Sequence, residues 1–222
     1  TGGMARHHMS VMVTMANTHI CGLVEVSEAQ RQMTRDLFES KGKKCPAFYN
    51  TIGELLKAQG APDASFINTP HKFHLENARD CLKAGMDVLL EKPMVINASE
   101  ANRLIKIRDQ SKKLLVVAFP GSLSPAVKKA KQMISSGKLG RVTSVSAYVH
   151  QHWKAATTGQ WRQDPVISGG GFLFDTGSHM VNTVVDLIDQ DVVQVCALMD
   201  NCGTPVDINS TVSGRFRDGA MF

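Results

Sequence analysis

No stretch of this 222-residue chain approaches the roughly 20 consecutive apolar residues that a membrane-crossing helix needs. That excludes a helical bilayer span. Cysteine is scarce and oddly numbered. The five residues, Cys21, Cys45, Cys81, Cys196 and Cys202, are widely spaced and form no C-x-x-C pair. A disulfide framework and a paired-cysteine metal or redox motif are therefore excluded, and reduced thiols in a cytosolic protein are the expected state. Dense basic runs are missing too. The net charge is +5, but the tightest cluster is only Lys41, Lys43 and Lys44. Such a distribution describes a solvated face rather than a nucleic-acid stripe, and its mild positive field suits small anionic ligands. There is no internal repeat and no low-complexity segment.

What remains is ordinary globular composition, with 43% hydrophobic and 20% charged residues in a length sufficient for one large domain or two small ones. Both ends read as cut. TGGMARHH begins inside a glycine-rich turn with no strand ahead of it, and GRFRDGAMF stops just past an Asp218-Gly219 turn signal, where a returning strand should continue. An internal portion of a longer chain is the expectation.

Along the chain, the pattern predicts helices over 4–16, 28–40, 52–59, 73–84 and 99–111. Ser27 caps the second of these, and Gly85 stops the fourth. Between them lie short apolar segments at 19–24, 48–50, 64–68, 87–90 and 114–119 with strand character. Steady alternation of this kind implies an α/β domain, a doubly wound parallel sheet with helices on both faces. After residue 120 the texture changes. A helix at 125–135 is followed by a long alternating strand at 142–153, a helix at 179–188 and strands at 192–199 and 209–216. This predicts an α+β domain with an open, largely antiparallel sheet. The domain boundary falls at 119–121, giving domains 1–120 and 121–222.

Several residues carry chemistry. Gly2-Gly3-Met4-Ala5 matches the end of a G-x-G-x-x-G/A turn, with Gly2 as the second glycine and Ala5 in the third place. A glycine there lets the backbone approach a pyrophosphate, and the helix behind it offers unpaired N–H groups. Glycine pairs also make plain turns. Glu25, 23 positions on and at the end of the next strand, can accept hydrogen bonds from the adenosine ribose, or be a solvent-facing loop acid. Its carboxylate would repel a 2′-phosphate and no arginine follows it directly, which favours NAD over NADP. Thr69-Pro70 ends another sheet strand, where ligands of such folds bind. His71 and His74 follow it; a two-histidine metal site has no evident third ligand, and His74 also suits a helix start.

Leu89-Leu90-Glu91-Lys92-Pro93-Met94 ends a strand in two opposite charges and a proline. A cis bond before Pro93 would aim the Lys92 side chain at a ligand, with Glu91 pairing to hold it; a surface ion pair before a turn fits equally. Gly169-Gly170-Gly171-Phe172-Leu173-Phe174-Asp175-Thr176-Gly177-Ser178-His179-Met180 is the most telling segment. Its glycines permit close backbone approach. Asp175 and His179 are four apart, so one helical face presents both, and a carboxylate beside an imidazole is an acid–base unit. Asp175 as a helix cap over a packed His179 is the alternative.

Glu91-Lys92-Pro93 together with GGGFLFDTGSHM, Thr69-Pro70 with His74 downstream, and Trp161-Arg162 before the glycines resemble the Gfo/Idh/MocA family of nicotinamide-dependent oxidoreductases. The similarity runs through nearly the whole chain in order and spacing. The resemblance implies an N-terminal Rossmann domain and a C-terminal α/β domain whose open sheet often forms the interface of a homo-oligomer, a dimer or tetramer. It also implies a substrate pocket between the two domains. In its sugar and inositol dehydrogenases the matching residues are Lys92, Asp175 and His179. His179 then takes a hydroxyl proton as hydride leaves for NAD(P), Lys92 polarises that hydroxyl, and Asp175 holds a neighbouring one. Gly2, Gly3, Met4, Ala5, Glu25, Thr69, Pro70, His74, Glu91 and Lys92 make up the implied cofactor set, with no metal. An NAD-dependent glycosidase of the same fold and a non-catalytic NAD-binding sensor are the alternatives. Departures occur at Phe119-Pro120-Gly121-Ser122-Leu123-Ser124-Pro125, which lacks the aromatic or basic residue common before Ser-Pro, and at Asn182, where an aspartate is common. The segment His150-Gln151-His152-Trp153-Lys154 fits either a pocket lining or a plain strand.

Overall fold

Strand and helix alternate through the first of the two units into which the chain divides, Thr1–Val117; the second is Ala118–Phe222. The computed structural model describes residues 1–222. The first unit runs α1 (Gly3–Met12), β1 (Gly22–Val24), α2 (Glu28–Ser40), β2 (Ala47–Tyr49), α3 (Ile52–Gln59), β3 (Ala64–Ile67), α4 (His74–Lys83), β4 (Asp87–Leu90), α5 (Ala98–Ser111) and β5 (Leu115–Val117). All its strand pairs are parallel. β1 pairs with β2, and β3, β4 and β5 form a second ladder in that order.

Local chemistry starts the helices where the sequence says it should. The Ser27 hydroxyl accepts from the Gln30 amide, Thr51 from Glu54 and Asn97 from Glu100. At α3 the arrangement is reciprocal, because the Glu54 carboxylate accepts from the Asn50 amide at 2.9 Å. Gly85, at φ +86°, terminates α4 in the left-handed region that glycine enters without a Cβ clash. The strands of the larger ladder are short apolar runs because helices cover them. Ile67, Val88 and Leu90 pack with Leu75, Ala78, Leu82 and Leu104 in one buried cluster. A smaller cluster of Ala5, Met9, Leu23 and Phe38 seats α1 and α2 on β1.

The two largest differences in boundary from the pattern are in α1 and β1. α1 ends at Met12, and the Thr14 and Met15 amides close tight turns onto Val11 and Met12. The first strand starts at Gly22 rather than His19, since only Gly22–Val24 meets a partner strand, Ala47–Tyr49.

The second unit contains α6 (Pro125–Ser135), α7 (Trp153–Ala156), α8 (Pro165–Ser168), a π-helical turn (Leu173–Gly177), α9 (Ser178–Ile188), β6 (Val192–Asp200) and β7 (Asn209–Phe216). β6 and β7 form an antiparallel ladder with one register shift near its start. Val184, Ile188, Phe216 and Ala220 pack α9 against that sheet. The long strand expected at 142–153 is not formed. Only a bridge between Ser144 and Met221 exists there, and Trp153 opens α7. A strand needs a neighbour to take its N–H and C=O groups, and alternation alone supplies none. The fold class is otherwise that read from the sequence: a parallel α/β unit followed by a unit built on an antiparallel sheet.

Candidate active site

Gly2 is the N-cap of α1 in extended backbone, with no side chain capping the helix. A Cβ placed on Gly2 or Gly3 would meet nothing within 4 Å. Nothing else in the chain therefore requires glycine at these positions, whereas close approach of a pyrophosphate to the helix start does. Met4 is 47% exposed and Ala5 is buried against the α1–α2 cluster, the close helix packing expected of the third position of the turn. Glu25 follows β1. Its carboxylate accepts from the Ser27 amide at 2.8 Å and from the Thr1 hydroxyl at 3.1 Å. Arg31 donates to the Glu25 carbonyl and the Asn50 side chain, pairs with Glu28 at 3.8 Å and lies over the Phe48 ring.

Thr69-Pro70 and Glu91-Lys92-Pro93 follow β3 and β4, the parallel strands whose last paired residues are Ile67 and Leu90. They share the end of the sheet where α/β folds bind ligands. The Lys92–Pro93 bond is cis. Glu91 Oε1 lies 3.1 Å from Nε2 of His8 on α1, a pairing that sequence spacing did not suggest for this acid. His74 needs the larger correction. Its ring is 0% exposed, with Nδ1 2.8 Å from the Pro93 carbonyl and Nε2 2.9 Å from the Thr69 carbonyl. A neutral ring carries one N–H, so it donates to one of these two carbonyls. Burial depresses its pKa, against the opposing pull of those carbonyls and of Glu91. His71 is likewise buried, edge-on to His74 with ring centroids 5.6 Å apart.

In the second unit, Asp175 sits in the π-helical turn and His179 in the first turn of α9. The sequence places them one α-helical turn apart, and the π-helical turn ends between them at Gly177. Asp175 is 5% exposed. Its Oδ2 accepts from the Trp153 indole N–H at 2.9 Å and from Arg162 Nε at 3.2 Å. Arg162 in turn lies over the Trp161 ring, 4.6 Å from its centroid. The His179 ring meets Phe119 edge to face at 5.7 Å. The helix-cap alternative for Asp175 does not hold, because no side chain caps α9.

The glycine-rich segment is clamped by Asp207. Its Oδ1 accepts from the Gly171 amide and its Oδ2 from the Leu173 amide, both at 2.7 Å, and its carbonyl accepts from the Phe172 amide at 2.8 Å. A Cβ on Gly171 would come within 2.0 Å of that carbonyl oxygen. The close approach that Gly171 allows is thus to Asp207. His150, Gln151, His152, Trp153 and Lys154 line a hollow of about 460 Å³ together with Phe172 and Asn209.

Residues 1–119 match the model of the oxidoreductase family with an NAD-binding Rossmann fold, and residues 127–222 match the GFO/IDH/MocA C-terminal domain. The chain belongs to the GFO/IDH/MocA family. Within it, the chain is 29% identical over 181 residues to oxidoreductase P35 of Formosa agariphila, covering 79% of this chain and 56% of that protein. It is 31% identical over 144 residues to the NADP-dependent D-xylose 1-dehydrogenase of Haloarcula marismortui, covering 62% of this chain and 39% of that protein. The fold of myo-inositol 2-dehydrogenase from Lactobacillus plantarum superposes with a TM-score of 0.83 at 18% identity, over 99% of this chain and 65% of that one. The chain thus spans about half the length, or less, of these two curated relatives.

Asp207 carried no signal of its own in the sequence, standing 36 positions from the glycine whose amide it accepts. Trp153 was legible only as one residue of a segment that also read as a strand.

Proposed function

We propose that this GFO/IDH/MocA protein is an NAD(P)-dependent dehydrogenase acting on a secondary hydroxyl of a sugar, cyclitol or related polyol. The observation that carries the reading is the convergence at one end of the parallel strands. The open Gly2–Gly3 helix start, Glu25 after β1, Thr69-Pro70 after β3 and Glu91-Lys92 after β4 all stand there. These residues fit a dinucleotide: helix N–H groups for the pyrophosphate and a carboxylate for the ribose. Glu25, whose carboxylate accepts from the Ser27 amide while Arg31 is engaged with its carbonyl, favours NAD over NADP. Bound NAD(P) supplies a hydride acceptor. The chain's own groups do the rest. His179 takes the hydroxyl proton, Lys92 donates to the same oxygen, and Asp175, fixed by Trp153 and Arg162, holds a neighbouring hydroxyl. The exposed apolar residues of the β6–β7 sheet, among them Val195, Leu198 and Met199, support assembly into a homo-oligomer.

The test is a screen of aldoses and inositols with NAD and NADP, read by absorbance of the reduced cofactor, on wild type, Lys92→Ala and His179→Ala. The expected result is wild-type turnover that each variant lowers by about two orders of magnitude or more while NADH still binds. Unchanged turnover in the variants rejects the assignment. Glycoside cleavage without net NADH would establish the glycosidase reading, and NADH binding without turnover on any compound the sensor.

A further inference from the structure

Asp207 stands in the connection between β6, which ends at Asp200, and β7, which starts at Asn209. Successive amides point at it: Gly171 at Oδ1 and Leu173 at Oδ2, both at 2.7 Å, and Phe172 at the backbone carbonyl, at 2.8 Å. The Ser210 hydroxyl donates to the same Oδ2 at 3.3 Å, and Asp207 is 8% exposed. Those amides open a helix. Phe172 has helical backbone, the π-helical turn Leu173–Gly177 follows, and Ser178 continues directly into α9. No side chain at the start of either part caps it. The cap comes instead from 36 positions away.

A helix start leaves its first N–H groups unpaired, and a carboxylate there meets the positive end of the helix dipole. Water or a local serine would satisfy such amides without burying a charge, which is costly. What Asp207 adds is a fixed origin. Each residue of an α-helix turns by about 100°, so a start that slips by one residue swings every later side chain around the axis. Asp175, whose amide donates to the Gly171 carbonyl at 2.9 Å, and His179 both follow that start. The same connection reaches Asp175 by a second route. Lys154 Nζ donates to the Cys202 carbonyl at 2.6 Å, beside Trp153, whose indole donates to Asp175.

We propose that Asp207 is a positioning residue: as a cap supplied from the β6–β7 connection it fixes the helix start, and with it the placement of Asp175 and His179. The proposal rests on the dehydrogenase reading for the roles of those two residues, though not for the cap itself. Asp207 acts through the Gly171–Leu173 backbone and takes no part in proton or hydride transfer.

The test must separate position from mere folding, and it uses the full-length protein. Both tryptophans, Trp153 and Trp161, belong to the second unit, so their fluorescence reads its folded fraction. Turnover is then expressed per folded molecule, on the sugar or inositol that wild type oxidises fastest. Asp207→Asn is expected to lower kcat by about tenfold to a hundredfold, the cost of a misplaced catalytic group. NADH affinity should stay unchanged, because the proposed dinucleotide residues all lie in the first unit. Asp207→Ala should lose more; if it fails to fold, Asp207→Asn, which keeps one acceptor, carries the test. Ile188→Ala, at the last residue of α9, destabilises the same unit by leaving a cavity and should keep wild-type kcat per folded molecule. A second readout is free of turnover. The His179 ring lies edge to face with Phe119 at 5.7 Å, so its proton resonances, assigned with His179→Gln, report its place. They should move in Asp207→Asn and stay put in Ile188→Ala. If wild type oxidises no sugar or inositol, the functional reading falls while the resonances still decide the cap's role. Wild-type kcat per folded molecule in Asp207→Asn, or unmoved His179 resonances, overturns the proposal.

Discussion

The indole N–H of Trp153 donates to Oδ2 of Asp175 at 2.9 Å, and each residue is 5% exposed. A buried carboxylate is tolerable only when donors surround it, and here an indole and the Arg162 guanidinium share one oxygen. Trp153→Phe keeps the aromatic volume beside Phe172 but removes the donor. The expected loss is roughly 1.5–3 kcal/mol, the range for a hydrogen bond to a charged group. A lower urea midpoint with an unchanged denaturant slope would show it; an unchanged midpoint would mean that Arg162 alone suffices.

Asp207 should behave as the clasp of the glycine-rich segment. Asp207→Asn turns one of its two acceptors into a donor facing an N–H, while Asp207→Ala leaves the Gly171 and Leu173 amides without their partner. Each variant should lose about 2–4 kcal/mol in denaturant unfolding. Gly171→Ala should be worse, since its methyl group would lie 2.0 Å from the Asp207 carbonyl oxygen, and soluble yield is the simplest readout. An alanine variant with wild-type stability would show that the backbone there shifts freely.

His74 predicts an acid-sensitive fold. Burial lowers its pKa in the folded chain, while the unfolded value is about 6.5. The unfolded chain therefore binds the proton first as pH falls, so the histidine's contribution is fully present above about 6.5 and is lost toward the lower folded pKa. Glu91 and the ring of His71 are the neighbours that bear on it. Urea unfolding of wild type at stepped pH should show stability declining through that window, and His74→Gln should flatten the decline. Parallel curves would place the titrating group elsewhere.

Glu25 should govern cofactor choice. Its carboxylate accepts from the Ser27 amide and the Thr1 hydroxyl, and Arg31 is engaged with the Glu25 carbonyl and Asn50. Glu25→Ser removes the charge that repels a 2′-phosphate, and kcat/KM for NADP relative to NAD should rise about tenfold or more. No change in that ratio would mean that the ribose lies elsewhere.

The helices of the first unit were legible because their signals are local. Ser27, Thr51 and Asn97 cap within three residues of themselves, and Gly85 stops α4 from its own position. The segment at 142–153 shows the opposite case, with strand-like alternation and only a bridge to Met221 beside it. The same limit applies to the site. Residue type and order marked out Lys92, Asp175 and His179, but not the Trp153 and Arg162 bonds that hold Asp175, nor the Asp207 clamp 36 positions from its glycine.

The amino-acid order by itself determined the helix starts and stops, the α/β class of the first unit and the family motifs, because caps, turns and periodicity act between near neighbours. Only the tertiary structure decided that the His74 ring is buried against the Thr69 and Pro93 carbonyls, that Glu91 meets His8 and that Asp175 is fixed by Trp153. A hydrogen bond depends on where two atoms lie in space, and residues distant in sequence acquire that position only after the chain has folded.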